Sequence, residues 1–188
     1  MMIVRTISRS LSALIFFACL QIGLVCHGAD RGLPAQHGIL NFGKVGEHLF
    51  RGAQPDSAGI KTLESLGIKA IIDLRMPGQV RKLEQTEASA RGILYTNIPM
   101  RGMARPTEEQ VRQVLSLVEN FPGPVFIHCQ HGCDRTGTVI ACYRIQHDHW
   151  TREVAFSEAR HYGISWFEWG MKRFVMGFGS ESVRLAQN

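Results

Sequence analysis

Val125-Phe126-Ile127-His128-Cys129 is a short apolar run that stops at a glycine-bearing turn and passes straight into a helical pattern beginning near Thr136. This junction constrains the fold more than any other stretch of the chain. A strand that turns tightly into a helix is the repeating unit of a parallel sheet, because the chain must cross back over the sheet before it can pair again. The turn, Cys129-Gln130-His131-Gly132-Cys133-Asp134-Arg135-Thr136, has the form in which successive backbone N–H groups curl around an anion at a helix N-terminus. Gly132 permits the backbone angles that such a curl demands.

The remainder of the chain repeats this punctuation. His48 to Arg51 reads as a strand, Asp56 as the cap of a helix running through Leu66, and Ile68 to Leu74 as a buried strand between Gly67 and Pro77-Gly78. Val80 to Ala90 reads as a helix and Ile93 to Ile98 as another strand. Thr107-Glu108-Glu109-Gln110 is a capping box opening a helix with Val111, Val114, Leu115 and Val118 on one face. Helical patterns over 136–149, 151–162 and 165–178 close the chain, with Trp166, Phe167, Trp169 and Phe174 expected to pack on the core. The expected fold is α/β, a mostly parallel central sheet flanked by helices, with a helical C-terminal end.

A chain of 188 residues suits one domain. Residues 1–29 read as a leader: Arg5 and Arg9 precede an apolar run from Leu11 to Val25, followed by Cys26-His27-Gly28-Ala29. They imply export, periplasmic or secreted, with membrane contact only if the segment is retained as an anchor. After a loop-like N-terminal segment over 30–47, the domain is expected over 48–178 and a tail over 179–188. The 21 Lys and Arg against 16 Asp and Glu give a mild, dispersed excess, without the basic run that nucleic acid requires. Removing the leader leaves Cys129, Cys133 and Cys142, which is no disulfide framework. A monomer is expected.

The chemistry concentrates in the turn. A thiol at a helix N-terminus ionises easily, and Arg135, six residues on, offers a planar fork matched to two phosphate oxygens. The stretch resembles the signature loop of the protein tyrosine and dual-specificity phosphatases. Phe50-Arg51-Gly52-Ala53-Gln54-Pro55, Ile71-Ile72-Asp73-Leu74-Arg75 and Asn97-Ile98-Pro99-Met100 are similar to segments of small bacterial and plant-fungal dual-specificity-like members. The resemblance implies that Cys129 is the nucleophile of a phosphocysteine intermediate, that Arg135 binds the phosphate, and that Thr136 stabilises the thiolate and assists hydrolysis. Gln130, His131, Gly132 and Cys133 are then candidate substrate-binding positions, with Arg101 and Arg105 available to a second phosphate or an acidic lipid head. The implied substrate is a phosphorylated protein, an inositol phosphate or a phospholipid, with no cofactor.

One departure matters. The family draws its general acid from an Asp on an upstream loop, and here no Asp lies between Asp73 and Asp134. Asp134, in a stretch resembling the myotubularin and Sac-type lipid phosphatases, is the favoured candidate, with fixing the loop as its alternative role. Glu108 is the other candidate acid. Rival readings are a metal site at His128, Cys129, His131 and Cys133, a sulfurtransferase, and a phosphate-binding module that has lost turnover. The first lacks a second ligand cluster. A Cys129 to Cys133 or Cys129 to Cys142 disulfide that shields the nucleophile from oxidation is a further expectation.

Overall fold

The computed structural model describes residues 32–179, so the expected leader, and the tail beyond 179, lie outside the described residues. In chain order the elements are β1 (Gly43–Lys44), β2 (Leu49–Ala53), α1 (Ser57–Ser65), β3 (Ala70–Asp73), α2 (Gln79–Ala90), β4 (Leu94–Asn97), α3 (Glu108–Asn120), β5 (Val125–Cys129), α4 (Asp134–Gln146), α5 (Arg152–His161) and α6 (Trp169–Gly177). The sheet order is β1-β2-β5-β3-β4. Every pairing is parallel except the antiparallel β1–β2 ribbon. The strand carrying Cys129 is therefore central.

Alternation along the strands sorts the core onto two faces. Ile71 and Phe126 join Ile60, Leu63 and Ala88 beneath α1 and α2. Ile72 and Ile127 join Val111, Val114, Val139, Ile140 and Phe174 beneath the later helices. Burial of each such side chain contributes about 1.5–3 kcal/mol. All four residues of β3 and all five of β5 are buried, as a sheet covered on both faces requires.

The helix starts follow their caps. Asp56 accepts the Gly59 N–H at 2.8 Å ahead of α1. Thr107 and Gln110 close the expected capping box on α3, whose Val111, Val114 and Leu115 are buried. Residues 136–143 of α4 are all buried, because this helix runs between the sheet and α5 and α6.

Three expectations change. The segment before residue 48 is part of the domain: Ile39 and Phe42 are core residues, and β1 pairs with β2. Two strand residues among glycines are too few to show a period of two. Next, α4 begins at Asp134 and α6 at Trp169, because Ser165 to Glu168 form a turn, closed by the Glu168 N–H on the Ser165 carbonyl. Finally, only Phe174 of the four C-terminal aromatics packs in the core. Trp166 is 84% exposed, and Phe167 and Trp169 are about half exposed.

Candidate active site

β5 delivers Cys129, 2% exposed, to the C-terminal edge of the sheet, and α4 departs five residues later. Open parallel sheets bind ligands at this edge. Between the two elements Gly132 adopts φ +71°, a conformation glycine tolerates and other residues rarely do. Gly132 also touches β2: a Cβ there would lie 2.5 Å from the Gly52 carbonyl carbon and 2.7 Å from the Ala53 nitrogen.

Two buried side chains hold the outer carbonyls of this loop. Asn41 Nδ2 donates to the His131 carbonyl at 2.8 Å, and its Oδ1 accepts the Leu33 N–H. Arg51 Nη2 donates to the Gly132 carbonyl, also at 2.8 Å. In a planar trans peptide the carbonyl and the next N–H point in opposite directions. Anchoring those two carbonyls outward therefore turns the Gly132 and Cys133 N–H groups inward, toward one point. Neither Asn41 nor Arg51 was expected at the site. Arg51 lies within the Phe50–Pro55 resemblance, whereas Asn41 stands in a stretch that reads as loop.

The expected residues take distinct places. Arg135 is half-buried, its Nη1 3.4 Å from the Met100 carbonyl and 3.5 Å from that of Leu74. The Thr136 hydroxyl is buried with no hydrogen-bond partner, which leaves its proton for an anion in the loop. Gln130 is exposed beside the opening, and His131 is exposed with its carbonyl held as above. Cys133 faces the protein: its Sγ lies 3.1 Å from Asn41 Nδ2, so it reaches a ligand only through its backbone. Among the described residues Cys129, Cys133 and Cys142 are buried, and no disulfide joins them. Cys142 is a core thiol, its ionisation pushed far above the ordinary range by burial alone.

Asp134 Oδ1 accepts the Ser165 N–H at 2.7 Å, tying the first residue of α4 to the turn before α6. This is the loop-fixing role weighed for it. Glu108 is exposed on α3 and faces Arg112 at 3.9 Å. Arg101 is exposed and lies beside the opening without lining it. The hollow above the loop, about 480 Å³, is lined by Gln54, Arg75, Met76, Gly78, Arg81, Gly102, Gln130 and Arg135. Its three arginines come from the loop after β3, from α2 and from α4 rather than from the 101–105 segment.

Arg75 joins this hollow to a buried polar network. Its fork pairs with both oxygens of Asp73 at 2.9 Å and contacts Glu84, which also meets His128 Nε2 at 2.8 Å. Burial alone raises the Asp73 carboxyl, but hydrogen bonds from Arg75 and Tyr95 and the nearby His128 outweigh it and hold the carboxyl below its usual range. Asp73, Glu84 and His128 have metal-ligand types within reach of one another, yet the Arg75 guanidinium already supplies their positive charge. His128 Nδ1 lies 3.2 Å from the Cys129 carbonyl, so the ring braces the backbone at Cys129.

A central parallel strand, a loop of inward amides, a cysteine at its start and an arginine at its end define a cysteine-dependent phosphatase. The chain belongs to the dual-specificity phosphatases: the model of the family described as DSP-PTPase phosphatase fused to NAD+ kinase matches residues 37–174. The inositol diphosphatase DSP2 of Oryza sativa subsp. japonica is 30% identical over 156 residues, 77% of this chain and 72% of the relative. The dual specificity protein phosphatase TpbA of Pseudomonas aeruginosa is 28% identical over 158 residues, 78% and 66% of the two chains. Two solved structures share the fold at a TM-score of 0.69 and 23% identity. The P. aeruginosa TpbA crystal structure covers 84% of this chain and 96% of its own, and the catalytic domain of the S. cerevisiae PP-IP phosphatase SIW14 covers 83% and 94%.

Proposed function

We propose that this phosphatase acts best on a terminal phosphoryl group carried by another phosphate, on a small and densely anionic molecule such as an inositol diphosphate. One observation carries the reading: Arg75, Arg81 and Arg135 line the hollow, and no carboxylate among the described residues lines it. Attack by Cys129 on such a phosphoryl group expels a phosphate, which leaves well without receiving a proton. An alkoxide leaves poorly unprotonated, and general acids typically contribute about 10²–10⁴ in rate to that departure. A site without an acid thus discriminates by leaving group. Arg75 is already paired with Asp73 and Glu84, which leaves Arg81 and Arg135 as the lining cations for the phosphates.

In this reading the loop amides, the α4 N-terminus and Arg135 hold the equatorial oxygens during transfer. Thr136 donates toward the departing sulfur when water hydrolyses the phosphocysteine. The relatives named as inositol diphosphatases support the substrate class. Export through residues 1–29 and a monomeric state belong to the same proposal. Edman sequencing of the secreted or periplasmic protein, and its sedimentation, check them.

The test is a phosphate-release panel of an inositol diphosphate, inositol hexakisphosphate, a phosphoseryl peptide and an aryl phosphate. kcat/KM is expected to be at least about 100-fold higher on the diphosphate than on the seryl peptide. Equal values overturn the proposal. Arg81→Ala is expected to raise KM for the diphosphate about tenfold and to leave the aryl phosphate within twofold.

Asp134→Asn separates anchoring from acid catalysis, since an amide oxygen still accepts the Ser165 N–H. Turnover of the diphosphate and the aryl ester is expected to stay within about threefold, while Asp134→Ala lowers Tm by several degrees. A fall of about 100-fold on the seryl peptide with Asn, and none on the aryl ester, assigns Asp134 as the acid instead.

A further inference from the structure

Arg51 is a full charge in the interior, 1% exposed, on the face of β2 that looks toward α4 and α5. A guanidinium taken from water normally rests on a carboxylate and satisfies its remaining donors. This one does neither. Nη2 reaches the Gly132 carbonyl, while Nε and Nη1 are buried without partners, and the guanidinium carbon stacks 3.7 Å from the Tyr162 ring centre. Glu158, the acid of α5 that faces it, is committed to Arg144 through bonds of 2.8 and 3.1 Å. The other groups facing it are the Tyr162 hydroxyl after α5, the Cys129 thiol on β5 and the Cys133 thiol in the loop. Burial lowers the guanidinium pKa to about 10, so it is still a cation at neutrality.

We propose that Arg51 is a positioning residue for phosphoryl transfer: a buried cation behind the loop whose counter-ion is the anion held inside the loop. That anion is the phosphoryl group during turnover, and in the resting enzyme the same charge faces the Cys129 sulfur. Arg135 approaches from the solvent side and Arg51 from the protein side, with Gly132 between Arg51 and the bound anion. Being out of solvent, the charge of Arg51 is weakly screened. Its second action is mechanical. Holding the Gly132 carbonyl keeps the Cys133 N–H turned inward. An arginine retained at a cost of two unmet donors is intelligible if its partner arrives with the chemistry.

The proposal rests on phosphocysteine chemistry and not on which substrate is preferred. Its test needs no substrate. Arg51→Met and Arg51→Lys are made in the full chain, and the pH dependence of Cys129 alkylation by iodoacetamide is followed by peptide mass spectrometry. With Met, the alkylation midpoint is expected to rise by about one pH unit or more. On an aryl phosphate kcat is expected to fall at least tenfold, more than KM changes, with Tm within a few degrees of wild type. With Lys, the midpoint is expected to stay within about half a unit, and kcat to fall less than with Met. A purely structural arginine lowers activity without moving the midpoint. An unmoved midpoint in Arg51→Met, or one displaced equally by Lys, overturns the proposal. If Arg51→Met does not fold, Lys alone decides: a midpoint kept supports it and one raised by a unit rejects it.

Discussion

Cys129→Ser is expected to lower phosphate release by about 10⁴-fold or more on every substrate, diphosphate and aryl ester alike. In the proposed reaction the sulfur displaces the leaving group, and a serine hydroxyl in its place needs a base to take its proton. The adjacent histidine is badly placed for this. His128 lies on the opposite sheet face, in register with Asp73, with Nε2 on Glu84 and Nδ1 near the Cys129 carbonyl. Binding is a separate matter, since the amides, Arg135 and Arg51 are all retained. Vanadate or substrate is expected to bind the variant within about tenfold of wild type, measured by calorimetry. More than about 1% residual turnover overturns the assignment of the nucleophile.

Gly132→Ala is the second large effect, and it comes from two independent constraints. The φ of +71° costs an alanine about 1–2 kcal/mol. The new methyl would also stand 2.5 Å from the Gly52 carbonyl carbon, a backbone atom of a strand paired on both sides. The loop therefore has to move away from β2, and the carbonyl held by Arg51 moves with it. A displacement of about 1 Å at the reacting centre is expected to lower kcat/KM at least 100-fold. Tm is expected to fall by about 5–10 °C. Gly177→Ala is the control of opposite sign, because its Cβ meets nothing within 4 Å and the position is helical. There stability is expected to rise by about 0.5–1 kcal/mol, without effect on turnover.

The position of Cys129 between the C-terminal edge of a strand and the N-terminus of a helix was legible from residues 125–137, because it is a matter of local periodicity and one glycine. Element order and the parallel sheet followed from the same punctuation, and all of the expected strands and helices appear with shifts of a few residues. The caps behaved in the same way: Asp56 and Thr107 act on N–H groups three residues ahead, within the range of local chemistry. Local signals failed where an element was short or a turn interrupted a helix, as at Gly43–Lys44 and before Trp169.

What surrounds the loop was a tertiary decision. Asn41 and Arg51 reach its carbonyls across 90 and 81 residues of chain, and Arg75, Arg81 and Arg135 meet over one hollow from a loop and two helices. No periodicity records such meetings, because they depend on strand order and on how the helices and loops pack at the C-terminal edge of the sheet. The role of Asp134 shows the same boundary. Its place in the loop is visible in the chain, but the partner of its carboxylate, the Ser165 N–H, is 31 residues away and is supplied by the packing of the turn before α6. Sequence by itself determined the class of protein and where the proposed nucleophile and its loop stand, since both lie within eight consecutive residues. Tertiary structure decided which charges face that phosphate, since an ion's neighbours are chosen by how the layers pack.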